Sequence, residues 1–199
     1  DIEEVFDDYM TWGGMPQRFM MTDEVQTRTY LSDIYNSILV KDIIARFNIK
    51  DLDLFNRIVE YIVTTPSQNF SAESLSNYFA NKDDRDVSKI TLYNYLEYMT
   101  KAMMINKADR YDVRGKRILN GKYKYYLTDL GFGQIMNIGK RPQLGAYLEN
   151  IVYNELLSRG YDVKVGNLEN GEIDFIATRF KEKIYIQVAY ILADDSVIE

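Results

Sequence analysis

Along this chain the spacing of apolar residues is helical, then strand-like, then helical and again strand-like, a pattern that restricts it to an α+β fold. The first long helical stretch runs from Glu24 to Ile44, with Val25, Leu31, Ile34, Tyr35, Ile38 and Leu39 among its apolar positions and Asp23 placed to cap it. A second, from about Asp51 to Val63, turns Leu52, Leu54, Phe55, Ile58, Val59 and Ile62 inward and ends before Pro66. Ser71–Phe79 reads as a short helix, with Ser71 and Ser74 as capping residues. A polar turn over 81–86 then leads to a helix capped by Ser88 that carries Ile90, Thr91, Tyr93, Tyr95, Leu96, Met99 and Met103. Ahead of them all, Gly13-Gly14-Met15-Pro16 interrupts regular structure.

Alternation takes over at 104–111 and 122–127, on either side of Val113-Arg114-Gly115-Lys116. Helices, a turn, a longer helix and a hairpin are the order of a winged helix, expected over residues 51–135 with 1–50 as a helical lead-in. From Leu144 a further helix, apolar at Tyr147, Leu148, Ile151, Val152, Leu156 and Leu157, stops at Arg159-Gly160. Strands at 161–165, 172–178 and 184–191, with Asn170-Gly171 as the first turn, complete an α/β core over 140–199. The chain opens on Asp1 and stops soon after its last strand. A piece of a longer polypeptide is therefore expected, with this core incomplete.

Neither cysteine nor histidine occurs among the 199 residues. Disulfides, thiolate metal sites, cysteine nucleophiles, imidazole bases and Ser-His-Asp triads are thereby excluded within the chain. The best remaining constellation is Glu149 on the last helix, Asp174 between Ile173 and Phe175, and Gln187 in the following strand. A carboxylate in a core strand needs a partner or a metal. Glu149 and Asp174 suit Mg²⁺, which takes oxygen ligands and keeps several waters, and such an ion activates water against a phosphodiester. Structural readings stand beside this one: Glu149 paired with Arg159 or Lys164, and Asp174 satisfying backbone amides at a strand end.

A helix Glu, then Glu-x-Asp in one strand, then Gln-x-x in the next resembles the core of the PD-(D/E)XK nucleases. The stretches Leu148-Glu149-Asn150-Ile151-Val152-Tyr153-Asn154-Glu155-Leu156, Arg159-Gly160-Tyr161, Glu172-Ile173-Asp174-Phe175 and Gln187-Val188 resemble, more closely, the domain that follows the AAA module in many prokaryotic ATPases. Gly13-Gly14-Met15-Pro16, Lys41-Asp42-Ile43, Thr91-Leu92-Tyr93-Asn94-Tyr95-Leu96 and Lys124-Tyr125-Tyr126-Leu127-Thr128-Asp129-Leu130-Gly131 extend the likeness over nearly the whole chain. The resemblance implies an accessory region of an ATP-dependent protein acting on DNA. Ala189 departs from the pattern, for it stands where the nucleases carry a lysine that stabilises developing negative charge. Lys183, four residues before Gln187, is the candidate substitute. A non-catalytic accessory region is the leading expectation, and a metal-dependent nuclease or an oligomerisation module are the alternatives.

The net charge is −6, yet residues 85–125 hold ten basic and four acidic side chains. Lys89, Thr91, Asn94 and Lys101 are expected on the outward face of the recognition helix, with Arg110, Arg114, Lys116, Arg117 and Lys122 on the wing. The wing would neutralise phosphates, and Thr91 or Asn94 would meet base edges. Duplex DNA, the protein's own ATPase module and a second copy of the chain are the expected partners. The acidic remainder opposes polyanion binding. Tyr93, Tyr95, Tyr98, Tyr123, Tyr125 and Tyr126 are assigned to packing rather than base stacking. No apolar run approaches the roughly 20 residues of a membrane helix and no signal peptide is present, so a cytoplasmic protein without a membrane partner is expected. There is no Gly-x-x-x-x-Gly-Lys-Ser/Thr, so ATP would belong to a module outside these residues.

Overall fold

The computed structural model describes residues 1–83, 86–136 and 144–189, and the fold is mixed α+β. Helix α1 (Ile2–Trp12), a 3₁₀ turn (Pro16–Met20) and α2 (Glu24–Ser37) come first. α2 runs on into a π-wound stretch, Ile38–Ala45, so the helix predicted to Ile44 is present but changes its winding. Nothing in the structure explains that change. α3 (Leu52–Thr64), the short β1 (Asn69–Phe70), α4 (Ala72–Asp83) and α5 (Lys89–Lys101) follow. Asp23, Asp51 and Ser88 each accept a hydrogen bond from the first turn of their helix, and Ser71 and Ser74 exchange hydrogen bonds ahead of α4.

The rest of the chain builds β2 (Ile105–Asp112), β3 (Arg117–Leu127), α6 (Gly131–Met136), α7 (Leu144–Ser158), β4 (Asp162–Leu168), β5 (Gly171–Arg179) and β6 (Glu182–Ile186). The strands form one six-stranded sheet of order β1-β3-β2-β4-β5-β6, antiparallel except where β2 meets β4. The hairpin β2–β3, read from sequence as a wing, is therefore not free. Arg110, Tyr111 and Asp112 pair with Val165, Gly166 and Asn167, and the Val113 N–H donates to the Asn167 carbonyl at 3.1 Å.

The sheet separates two apolar cores. On one face the helical segments pack Phe55, Ile58, Leu75, Leu92 and Met99 against Ile105, Tyr125 and Leu127. On the other, α7 sets Tyr153 and Leu156 against Ala108, Tyr126, Val163, Val165 and Phe175, and the Tyr126 and Tyr153 rings stack at 4.0 Å. The end of β3 is covered on both sides, so Lys124, Tyr125, Tyr126 and Leu127 are all buried.

Leu52, predicted inward, is exposed, as are Val25, Ile90 and Met103 among the apolar positions of the helical pattern. The buried line of α7 is Tyr147, Asn150, Tyr153 and Leu156. It is rotated from the predicted apolar face because a hydrogen-bonded asparagine completes it. The last strand, predicted to Ile191, ends at Ile186. Residues 84–85 of the predicted polar turn and 190–191 of that strand lie outside the described residues.

The lead-in is fastened to the end of β3 by one buried carboxylate. Asp129 accepts the Gly14 N–H through Oδ2 and the Gly131 N–H through Oδ1, both at 2.8 Å. Gly13 sits at φ +75°, and a Cβ there would lie 1.9 Å from Asp129 Oδ1. Only glycine combines that backbone with that approach.

Candidate functional site

Period-2 alternation places Lys124 and Tyr126 of β3 on the face toward α7. Glu149 of α7 meets both: Lys124 Nζ lies 3.0 Å from Glu149 Oε1, and the Tyr126 hydroxyl donates to the same oxygen at 2.7 Å. The Lys124 ammonium also pairs with Glu172 of β5. Arg110 of β2 closes the network, donating to Glu172 Oε2 and to Asn167 Oδ1, both at 2.8 Å. The Lys124 side chain is only 6% exposed. Burial alone would pull its ammonium down, but Glu149 and Glu172 outweigh burial and hold it above the ordinary lysine range. Glu149 is pushed up by burial, pulled back by Lys124 and Tyr126, and pushed up again by Asp174. The Tyr126 hydroxyl is raised far above its usual value by burial and by Glu149, which keeps it a neutral donor.

Asp174 reaches this region through a register shift. Lys164 pairs with Ile176 and Gly166 with Ile173, so three residue steps on β5 oppose two on β4. The extra residue breaks alternation and leaves residues 174–177 buried in succession. Asp174 Oδ2 accepts the Gln187 Nε2–H at 2.8 Å and the Val188 N–H at 2.7 Å. A carboxylate thus satisfies an amide that a longer strand would pair, and β6 ends two residues earlier. Burial raises the Asp174 carboxyl, while the Val188 amide and Lys124 pull it back.

The structure therefore bonds Asp174 to Gln187 and sets Glu149 within electrostatic reach of Asp174, beside a residue that sequence reasoning missed. Glu149 pairs with neither Arg159, which takes Glu155 at 2.7 Å, nor Lys164, which takes Asp162. Lys183, the candidate substitute, lies apart from this cluster. It opposes Thr178, four residues along β5 from Asp174 or roughly 13 Å at strand rise, and lies near the Tyr111 and Tyr185 rings. Ala189 is exposed beyond the end of β6. The lysine in the cluster is Lys124. Its signal is the unbroken run Tyr125-Tyr126-Leu127, which marks a strand covered on both faces.

Mg²⁺ at Glu149 and Asp174 would have to compete with groups of the chain itself. An ammonium already stands between Glu149 and Glu172, and Asp174 Oδ2 takes two donors from its own chain. Among the described residues no group of three or more carboxylates is disposed to hold a metal ion. Two asparagines beside Glu149 have a structural duty instead. Asn150 accepts from Leu127 N–H and donates to Leu127 O, both at 2.8 Å, and Asn154 donates to Leu127 O at 2.9 Å. They clasp α7 to the end of β3.

The cationic residues predicted to face DNA are interleaved with acids. Arg114 pairs with Glu169 at 2.6 Å, Lys89 with Glu73 at 3.2 Å, Lys101 with Glu97 at 2.6 Å and Arg117 with Asp112 at 3.8 Å. Thr91 is spent on the helix cap, 3.1 Å from the Ser88 hydroxyl. Asn94, Lys116 and Lys122 are exposed. Among the described residues no helix is long and apolar enough to cross a membrane.

A profile of the family described as Domain of unknown function (DUF8612) matches residues 3–143. The chain belongs to this family. The DUF8612 match takes in Lys124 and Tyr126 and stops short of α7, so their contacts join that region to Glu149 and Glu172 beyond it. An uncharacterized protein of Haemophilus influenzae is 33% identical over 195 residues, which make up 98% of this chain and 48% of the relative. Uncharacterized protein MJ1544 of Methanocaldococcus jannaschii is 25% identical over 195 residues, 96% of this chain and 43% of the relative. The chain spans about half the length of the curated relatives it matches. No solved structure matches it.

Proposed function

We propose that this chain is a non-catalytic accessory region of a longer AAA-type ATPase. In it a winged-helix-like unit and a nuclease-like unit without nuclease chemistry serve to hold a protein partner, the protein's own ATPase module included. The observation that carries the non-catalytic reading is the Lys124 ammonium between Glu149 and Glu172. A metal-dependent nuclease needs carboxylates free to gather a divalent ion and its waters. Here an internal cation answers the same negative charge, and it is held by both Glu149 and Glu172 with its own side chain only 6% exposed. The relatives' greater length leaves room for an ATPase module of comparable size, in keeping with the motif resemblance at Gly13-Gly14-Met15-Pro16 and Thr128-Asp129-Leu130-Gly131.

What supports a protein partner over duplex DNA is the pairing of Lys89, Arg114 and Arg117 with acids, since each neighbouring carboxylate opposes an approaching phosphate. Incubation with plasmid DNA and Mg²⁺ or Mn²⁺ tests the non-catalytic reading. No cleavage is expected at any metal concentration, and cleavage that disappears in Asp174→Ala would overturn it. A gel shift tests the partner. Duplex binding that weakens steeply with salt and is lost in the triple variant Arg114→Ala, Lys116→Ala, Arg117→Ala would return the assignment to DNA.

A further inference from the structure

Among the described residues, exposed apolar side chains gather on α1 and the 3₁₀ turn. Ile2, Val5 and Phe6 on α1 and Phe19 and Met20 on the 3₁₀ turn are all exposed. Positions 2, 5, 6 and 9 make one stripe of α1 at helical spacing. With Phe19 they line a cleft of about 700 Å³. Beyond Phe19 lies a second cleft of about 360 Å³, edged by Asp8, Asp23 and Glu24.

Asp1, Asp8, Asp23 and Glu24 edge the two clefts, and Asp8 is already paired with Arg18. Residues 1–24 contain seven acidic side chains and one basic, and the basic one, Arg18, is buried against the Gly13 carbonyl and Asp8. Nucleic acid and anionic lipid surfaces are repelled by such a rim. Its complement is a helix with apolar residues at i, i+3, i+4 and i+7 flanked by lysine or arginine, the helix-in-groove mode of recognition. We infer that the groove between α1 and the 3₁₀ turn docks a basic amphipathic helix of a protein partner. The inference rests on the protein-contact half of the proposed function and is independent of whether the carboxylate network is catalytic.

Fluorescence anisotropy with two labelled model peptides of about 18 residues, one Leu/Lys and one Leu/Glu at the same positions, tests it. The Leu/Lys peptide is expected to bind at least about ten-fold tighter and to weaken as salt rises. Val5→Asp, on an exposed side chain, should abolish binding without altering the thermal melt. Glu24→Lys, at the edge of the second cleft, should shift preference toward the Leu/Glu peptide. Equal binding of both peptides, or binding indifferent to Val5→Asp, would overturn the proposal. So would a dimer in sedimentation that Val5→Asp disperses, because the occupant would then be a second copy of the chain. DNA binding in the gel shift with no peptide binding here would remove the protein-contact reading itself, whereas peptide binding elsewhere on the surface would remove only the groove.

Discussion

Two charged clusters stand on the β2–β3 hairpin, and burial makes them different objects. Around Lys124, ions of both signs are shut between the sheet and α7, and every one is tied to a named partner. Around Arg114, ions of both signs stand in water, with the Arg114 and Glu169 side chains 83% and 71% exposed. An exposed pair is screened and exchangeable and contributes little. A buried one costs much to desolvate, and once formed its members cannot be removed singly without stranding the rest. The first cluster is therefore architecture, and the second is surface still available for contacts.

The largest test of this contrast is Lys124→Ala. It leaves Glu149 with the Tyr126 hydroxyl alone and Glu172 with Arg110 alone, and is expected to cost about 3–5 kcal/mol in urea unfolding. Lys124→Met combined with Glu149→Leu should cost clearly less than the single change. A single-variant loss below about 1 kcal/mol would put the network in the class of surface pairs. Next in size is Asn150→Ala, which leaves the buried Leu127 N–H without its side-chain partner and the Leu127 C=O with Asn154 alone. A loss on the order of 2–3 kcal/mol is expected, with faster hydrogen exchange along α7 as the accompanying sign.

A pH titration separates the clusters further. The Lys124 ammonium lies above its unfolded value of about 10.4. Its contribution is fully present below that value and is lost as pH rises through the folded pKa. In Lys124→Met the alkaline limb of the stability profile should be shallower than in the parent chain, and identical limbs would contradict the ion-pair account. The smallest effect is expected from Arg114→Ala, within about 0.5 kcal/mol of the parent. A larger loss would mean that the hairpin tip is structural after all.

Much of this contrast was unreadable from sequence, for physical reasons. The inward face of α3, at Leu54, Phe55, Ile58, Val59 and Ile62, follows from local periodicity and is found buried. The caps at Asp23 and Ser88 are equally local. The grouping of Glu149, Asp174 and Gln187 was legible because carboxylates in apolar strands demand partners. Lys124 was not, because a lysine in an alternating strand reads as outward until a distant helix is known to cover it. The pairing of β2 with β4 and the register shift that re-aims Asp174 depend on non-local geometry that no window of sequence contains. The motifs that carried the resemblance prove to be mutual contacts. Gly14 and Gly131 share Asp129, and Asn150 and Asn154 hold Leu127. Their joint occurrence along the chain has a structural cause.

If the Lys124 ammonium, rather than a metal ion, balances Glu149 and Glu172, the parent chain takes up no divalent ion. Titrating the parent chain with Mn²⁺ in a calorimeter asks this directly. No saturable heat is predicted up to millimolar ion; a saturable isotherm that vanishes in Asp174→Ala would contradict the claim.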